Sequence, residues 1–381
     1  MYNGKAVRRQ ALPSTKPAQT AEFWYDGPLF RDDPLERNLT VAKERVMSGM
    51  RATGQLHLGH YLGVLLNWRK MQESYDCFFS VADWHKLTTK ATQTENLREN
   101  TRDILLDWLS AGIDPNKATI YVQSSVLETA ELHLLLSMIT PVNWLQRDPT
   151  LKDMIRELHL AEDTVGYGLL GYPALMTADI LGIRGNLVPV GEDQLAHLEI
   201  SRDIARRFNH LYETELFPEP RGLLTEFPVV IGTDGRKMSK SYGNDIKLAD
   251  TPDAVNQKVM TMVTDPARIR KTDYGHPEVC TVYGNWQMVA PDKSPEIATQ
   301  CRKAEIGCVA CKRGLATEIN AFLDPMRERR RELEQEPGLL DDIIRQGNAK
   351  ARAVTRETMA EVREAMHLNV FESPTPLPQG S

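Results

Sequence analysis

Two short segments concentrate side chains that could handle phosphate. The first is Thr53-Gly54-Gln55-Leu56-His57-Leu58-Gly59-His60. Where such a turn joins a strand to a helix, the helix start presents unpaired N–H groups and a partial positive charge to an anion. His57 and His60 add donors that strengthen as charge builds on phosphate oxygens during displacement. Gly59 leaves space where a flat base could lie against the backbone. The second segment is Gly235-Arg236-Lys237-Met238-Ser239-Lys240-Ser241. Two lysines and two serines in a Gly-flanked loop suit a segment that closes on a polyphosphate, meeting the leaving group's charge late in the reaction. Lys237 and Lys240 are the candidates. Taken singly, the first segment reads equally well as a helix start with incidental histidines, and the second as a solvated basic loop, which is what most charge clusters are.

The elements that must position them are written in the hydrophobic pattern. Arg45–Met50 reads as a strand running into the first turn. Leu58, Tyr61, Leu62, Leu65 and Leu66 then repeat at helical spacing. Further buried strands are expected at Asp76–Ala82, Ala118–Gln123 and Asn186–Val190, with helices around 95–111, 127–139 and 194–212. This alternation implies βαβ crossovers, hence an α/β fold with a Rossmann-like parallel sheet. Ligands then bind where strand order reverses. Beyond about residue 245 the strand signals fade into helical, charged sequence. The expected organisation is an N-terminal extension over 1–40, flexible early and carrying Phe23-Trp24-Tyr25. A Rossmann-like catalytic domain over 41–245, a helical domain over 246–370 and a flexible tail over 371–381 follow.

The 381 residues allow two or three domains. A net charge of −6 argues against a uniformly basic protein but leaves room for local RNA-binding patches. No apolar run approaches the roughly 18 residues that span a membrane, and the first thirty residues lack a secretion-type apolar core. A cytoplasmic protein is expected.

Four of the five cysteines, Cys280, Cys301, Cys308 and Cys311, fall in one window spaced C-x20-C-x6-C-x2-C. Four thiolates with a C-x-x-C element suit tetrahedral zinc or a [4Fe–4S] cluster. The plainer reading is free cysteines, as for Cys77 in its apolar strand.

On these residues the chain resembles the class I aminoacyl-tRNA synthetases. His57-Leu58-Gly59-His60 and Lys237-Met238-Ser239-Lys240-Ser241 look like their two signatures. Tyr172-Pro173-Ala174-Leu175-Met176-Thr177-Ala178-Asp179-Ile180-Leu181 and Val188-Pro189-Val190-Gly191-Glu192-Asp193-Gln194 resemble the tryptophan-specific branch. The similarity covers roughly residues 45–330. His60 stands where the family often has Asn, and Arg51-Ala52 where it often has a small pair.

The resemblance implies Mg²⁺-ATP, tryptophan and tRNA as substrates, a homodimer, and no membrane association. It implies that Asp179 accepts from the indole N–H, a donor that wants a fixed acceptor, with Met176 as a wall against the ring. Tyr172 and Gln194 would hold the amino acid's polar ends. Gly191 and Asp193 would approach the ATP ribose, and Thr53, Gly59, Lys152, Met238 and Ser239 the rest of the nucleotide. His57, His60, Lys237 and Lys240 would stabilise the displacement. The cysteine window looks like the [4Fe–4S] site of some bacterial members, zinc being the alternative. The run Arg327-Glu328-Arg329-Arg330-Arg331 is a candidate tRNA contact, or else a solvated helix face. The competing functions are a tyrosine-specific ligase, a small-molecule nucleotidyltransferase sharing the first turn, and an accessory paralogue.

Overall fold

The computed structural model describes residues 43–158, 160–161, 164–191, 195–224 and 229–368. The N-terminal extension, the C-terminal tail, Asp193 and Gln194 lie outside the described residues.

Five parallel strands form the sheet: β1 (Arg45–Arg51), β2 (Asp76–Ala82), β3 (Ala118–Val122), β4 (Leu187–Val190) and β5 (Arg221–Leu224), in the order β3-β2-β1-β4-β5. Helices cover both faces, so β2 is buried at every residue but its first, as a parallel sheet requires. Chain order runs outward from β1 to β3 and then returns to β4 on the other side of β1. That reversal opens a crevice between the carboxyl ends of β1 and β4.

The expected strands appear within a residue at each end. β5 was not anticipated; its Arg221-Gly222 start leaves only two apolar residues, whereas β4, equally short, is apolar throughout. Helices Leu97–Ser110, Leu127–Ile139 and Leu195–Leu211 also lie where expected. The segment after the first turn departs from a regular helix. An α turn (Leu58–His60) passes into a π-helical turn (Tyr61–Leu65) before the helix Leu66–Ser74. Side-chain periodicity cannot resolve one extra residue in a turn, and such π insertions recur at functional sites. Leu58, Tyr61 and Leu65 still face the core.

Trp68 locks this segment to the sheet. Its ring stacks on Phe79 at 4.1 Å, meets the edge of Trp108 at 4.9 Å, and its indole N–H donates to Ser48 Oγ.

The C-terminal region is helical, ending in Cys308–Gln335 and Leu339–Ala365. The first of these packs on Leu97–Ser110 and Pro252–Thr261, the second on β3 and Leu127–Ile139. Gly347 makes the β3 contact possible, because a Cβ there would overlap the Ile120 carbonyl. Beside it, Asn348 Oδ1 accepts from the Val122 N–H at 2.9 Å, satisfying a donor on an edge strand.

Candidate active site

The crevice holds a cavity of about 490 Å³. Arg51 of β1, Val190 and Gly191 at the end of β4, and Tyr172, Met176 and Asp179 from the helix Tyr172–Gly182 all line it. That helix is buried on nearly every side, with only Met176 partly exposed, so its one carboxylate needs partners. Asp179 has them. Gln123 Nε2 donates to both carboxylate oxygens, at 3.0 and 2.8 Å, and His85 Nε2 lies 3.0 Å from Oδ2. The Gln123 orientation is fixed independently, since its Oε1 accepts from the Trp84 and His85 N–H groups. Only its amide nitrogen can then face Asp179. Oδ1 retains capacity for a further donor from the cavity.

Two turns earlier on the same helix, the Tyr172 hydroxyl lies 2.8 Å from His197 Nε2 and donates to Asp148 Oδ2 at 3.3 Å. Asp148 also caps the helix Pro149–Glu157 by accepting from the Thr150 N–H. Burial and the Asp148 charge raise the Tyr172 pKa, keeping its hydroxyl protonated. Arg51 is half-buried beside them; burial lowers its pKa, against the pull of Tyr172. A guanidinium nonetheless stays charged at neutral pH.

Beside this cavity, and not among the residues lining it, His57, His60 and Lys240 form a second cluster. The two imidazoles lie 3.8 Å apart, and the His57 N–H donates to His60 Nδ1. A ring nitrogen that accepts carries no proton, so neutral His60 bears its proton on Nε2, ready to donate. Burial pushes the His57 pKa down to about 4, with Asp245 opposing and Lys240 adding to the fall. Burial, then His57 and Lys240, push His60 down to about 3. Both rings are therefore neutral at pH 7. A Cβ on Gly59 would stand 2.9 Å from two atoms of the His57 ring. The glycine makes room for this imidazole.

The downstream loop reaches this turn. Lys240 Nζ donates to the Thr53 and Gly54 carbonyls at 3.1 and 2.8 Å and to Thr53 Oγ1 at 3.1 Å. Burial lowers its pKa to about 8, although Asp107 and Asp245 pull upward. The segment following the loop pairs with the turn, Leu58 N–H to Ile246 O and Leu248 N–H to Leu56 O. Asn244 ties the loop together, donating to Asp234 Oδ1 and the Lys237 carbonyl while accepting from the Ser239 N–H. Met238 is packed into the core, and its N–H donates to the Val230 carbonyl. Lys237 is exposed.

Of the residues singled out from sequence, Tyr172, Met176, Asp179 and Gly191 meet at the cavity, and Thr53, His57, Gly59, His60 and Lys240 meet at the turn. Lys152 is exposed on a helix whose neighbouring Thr150 lines the cavity. His85, Gln123, Asp148 and His197 went unnoticed. Gln123 directly follows β3 and His85 lies three residues past β2, so the rule that ligands meet strand carboxyl ends could have flagged both.

The four windowed cysteines are half-buried and within electrostatic reach of one another. The Cys311 thiol feels Cys280, Cys301 and Cys308, and burial chiefly pushes it up to about 12. Gly275 gives Cys301 its space, since a Cβ there would collide with Sγ. Among the described residues, no three His, Cys, Asp or Glu side chains converge as a ready ligand set.

The family described as tRNA synthetases class I (W and Y) matches residues 41–324. The tryptophan–tRNA ligase of Thermotoga maritima is 48% identical over 327 residues, spanning 85% of this chain and 99% of the relative. That of Aquifex aeolicus is 43% identical over 394 residues, spanning 85% and 100%. Among solved structures, the tryptophanyl-tRNA synthetase from Campylobacter jejuni complexed with ADP and tryptophan superposes with a TM-score of 0.77 at 34% identity. It covers 85% of this chain and 99% of that one.

Proposed function

The chain belongs to the class I tRNA synthetases of the tryptophan and tyrosine type and acts as a tryptophan–tRNA ligase, and from that premise we propose how its residues divide the work. Asp179 accepts the indole N–H, Met176 packs on the ring, and Tyr172 and Gln194 hold the amino and carboxylate ends. Gly191, Asp193, Thr53, Gly59, Lys152, Met238 and Ser239 receive the nucleotide. One observation carries the reading: a buried, doubly supported carboxylate on the wall of a cavity about 490 Å³ in volume, opening beside the His57–His60 turn.

A tryptophan carboxylate oxygen attacks the α-phosphorus of Mg²⁺-ATP. The bond to the bridging oxygen breaks and pyrophosphate leaves, giving the adenylate. The tRNA 3′-terminal hydroxyl then attacks the activated carbonyl and releases AMP. His57 and His60 meet the charge developing on the phosphate as neutral donors, while Lys237 and Lys240 neutralise the departing pyrophosphate. Lys240 leaves the Thr53 and Gly54 carbonyls to do so.

ATP–pyrophosphate exchange tests this directly. Tryptophan supports exchange and tyrosine does not; exchange with tyrosine alone would overturn the specificity.

We propose further that Cys280, Cys301, Cys308 and Cys311 hold a [4Fe–4S] cluster, with zinc as the alternative occupant. Four half-buried sulfurs within electrostatic reach of one another favour this reading, although they do not converge as a ready ligand set, and Arg268, donating to Cys301 Sγ, would offset thiolate charge. When bound, such a cluster would brace the helical region over 246–370, the proposed anticodon-binding domain. The enzyme is proposed to act as a cytoplasmic homodimer. Leu134, Met138 and Tyr167, each more than half exposed, offer an apolar surface for pairing; light scattering tests it.

A further inference from the structure

Asp107 is fully buried in the helix Leu97–Ser110, and its two oxygens face different parts of the molecule. Oδ2 accepts from the Leu56 N–H at 2.6 Å, one residue before His57. Oδ1 accepts from Arg330 at 2.5 Å. Arg330 comes from the far half of the helix Cys308–Gln335. It also donates to Asp103 Oδ1 at 2.6 Å and to Glu334 Oε1 at 2.9 Å. Within the basic run that sequence offered as a tRNA contact or a solvated face, Arg330 is neither: it is 8% exposed and turned inward.

We propose that Arg330 and Asp107 are positioning residues for adenylate formation: a clamp through which the C-terminal helix fixes the backbone of the phosphate-binding turn. The turn is held from three sides. Lys240 holds its carbonyls at Thr53 and Gly54, and Ile246 and Leu248 pair with Leu58 and Leu56. Asp107 holds the Leu56 N–H. The first hold is given up when Lys240 moves to pyrophosphate. The Asp107 contact persists, because neither partner has to move for the reaction. A carboxylate this buried needs its cation, and without Arg330 an uncompensated charge would sit directly behind the turn. Displacement of the turn by about 1 Å can cost on the order of a hundredfold in rate.

The clamp rests on the active-site reading above, and the test separates the two. Wild-type exchange with tryptophan tests the site; the variants test the clamp. Arg330→Met, assayed on folded protein by ATP–pyrophosphate exchange, lowers kcat at least tenfold while the tryptophan KM changes less than threefold. Adding Asp107→Asn restores kcat to within about threefold of wild type, since Asn still accepts from Leu56 and the fully buried charge is gone, Asp103 and Glu334 being partly exposed to solvent. Arg330→Lys falls between, keeping the charge but losing the fork. If Arg330→Met does not fold, the double variant and Arg330→Lys carry the test. A folded Arg330→Met with wild-type kcat would overturn the proposal. So would a double variant no faster than the single one, or an Arg330→Lys no better than Arg330→Met.

Discussion

His85 Nε2 stands 3.0 Å from Asp179 Oδ2 on the wall of the cavity, although 94 positions separate the two residues in sequence. With Gln123 on the carboxylate's other side, the pair fixes one acceptor in space. Substituting Asp179→Asn keeps the shape but removes the charge and one acceptor. A hydrogen bond to a charged group contributes about 1.5–3 kcal/mol. The expected loss in kcat/KM for tryptophan is therefore about 10- to 150-fold in exchange assays. Gln123→Leu acts through Asp179 and raises the tryptophan KM more than it lowers kcat. An unchanged tryptophan KM in both variants would remove Asp179 from recognition.

The Lys240 ammonium, pushed down to about 8 by burial, should appear in the pH profile. kcat/KM for ATP reports the free enzyme, so it falls as pH rises through about 8 and the lysine loses its charge. Lys240→Arg keeps its charge and lacks this limb, at a lower plateau. An identical limb in the arginine variant would assign the titration to another group.

His57 and His60 predict an acid sensitivity. Their folded pKa values, about 4 and about 3, lie below the unfolded value of 6.5. Between those limits the unfolded chain binds more protons, so stability rises with pH across the window and is lost as pH falls below 6.5. In urea titrations at pH 5 to 7, the wild-type slope exceeds that of a His57→Asn/His60→Asn double variant by about two protons near pH 5. Parallel slopes would mean the rings titrate normally.

The cysteine window makes a prediction independent of catalysis. Anaerobically purified protein carries iron and acid-labile sulfide with visible absorption, and Cys311→Ser loses both. Zinc in place of iron selects the alternative occupant, and metal-free wild-type protein would refute a metal centre.

Much of this site could be read from the chain because its parts are local. The His57–His60 turn is continuous, flanked by a strand and an apolar repeat, and Asp179 sits conspicuously inside an apolar helix. β2 and the helix Leu127–Ile139 match their expected limits because long, uniform patterns mark them. β5 and the π turn over Tyr61–Leu65 were hidden, one by a charged and glycine start that masks its apolar end and the other by a change of backbone spacing that leaves the apolar pattern intact.

Residue type and spacing along the chain determined which chemistry was available: a turn with two histidine donors, a lysine loop, a carboxylate among apolar neighbours. Only the tertiary structure decided who stands beside whom. It set Gln123 and His85 on Asp179, Lys240 on the Thr53–Gly54 carbonyls, and Arg330 behind the turn through Asp107. Those pairings join residues from 56 to 223 positions apart. Periodicity reports which face of an element is buried, whereas a partner is chosen only when the sheet order and the docking of the C-terminal helices bring distant faces together.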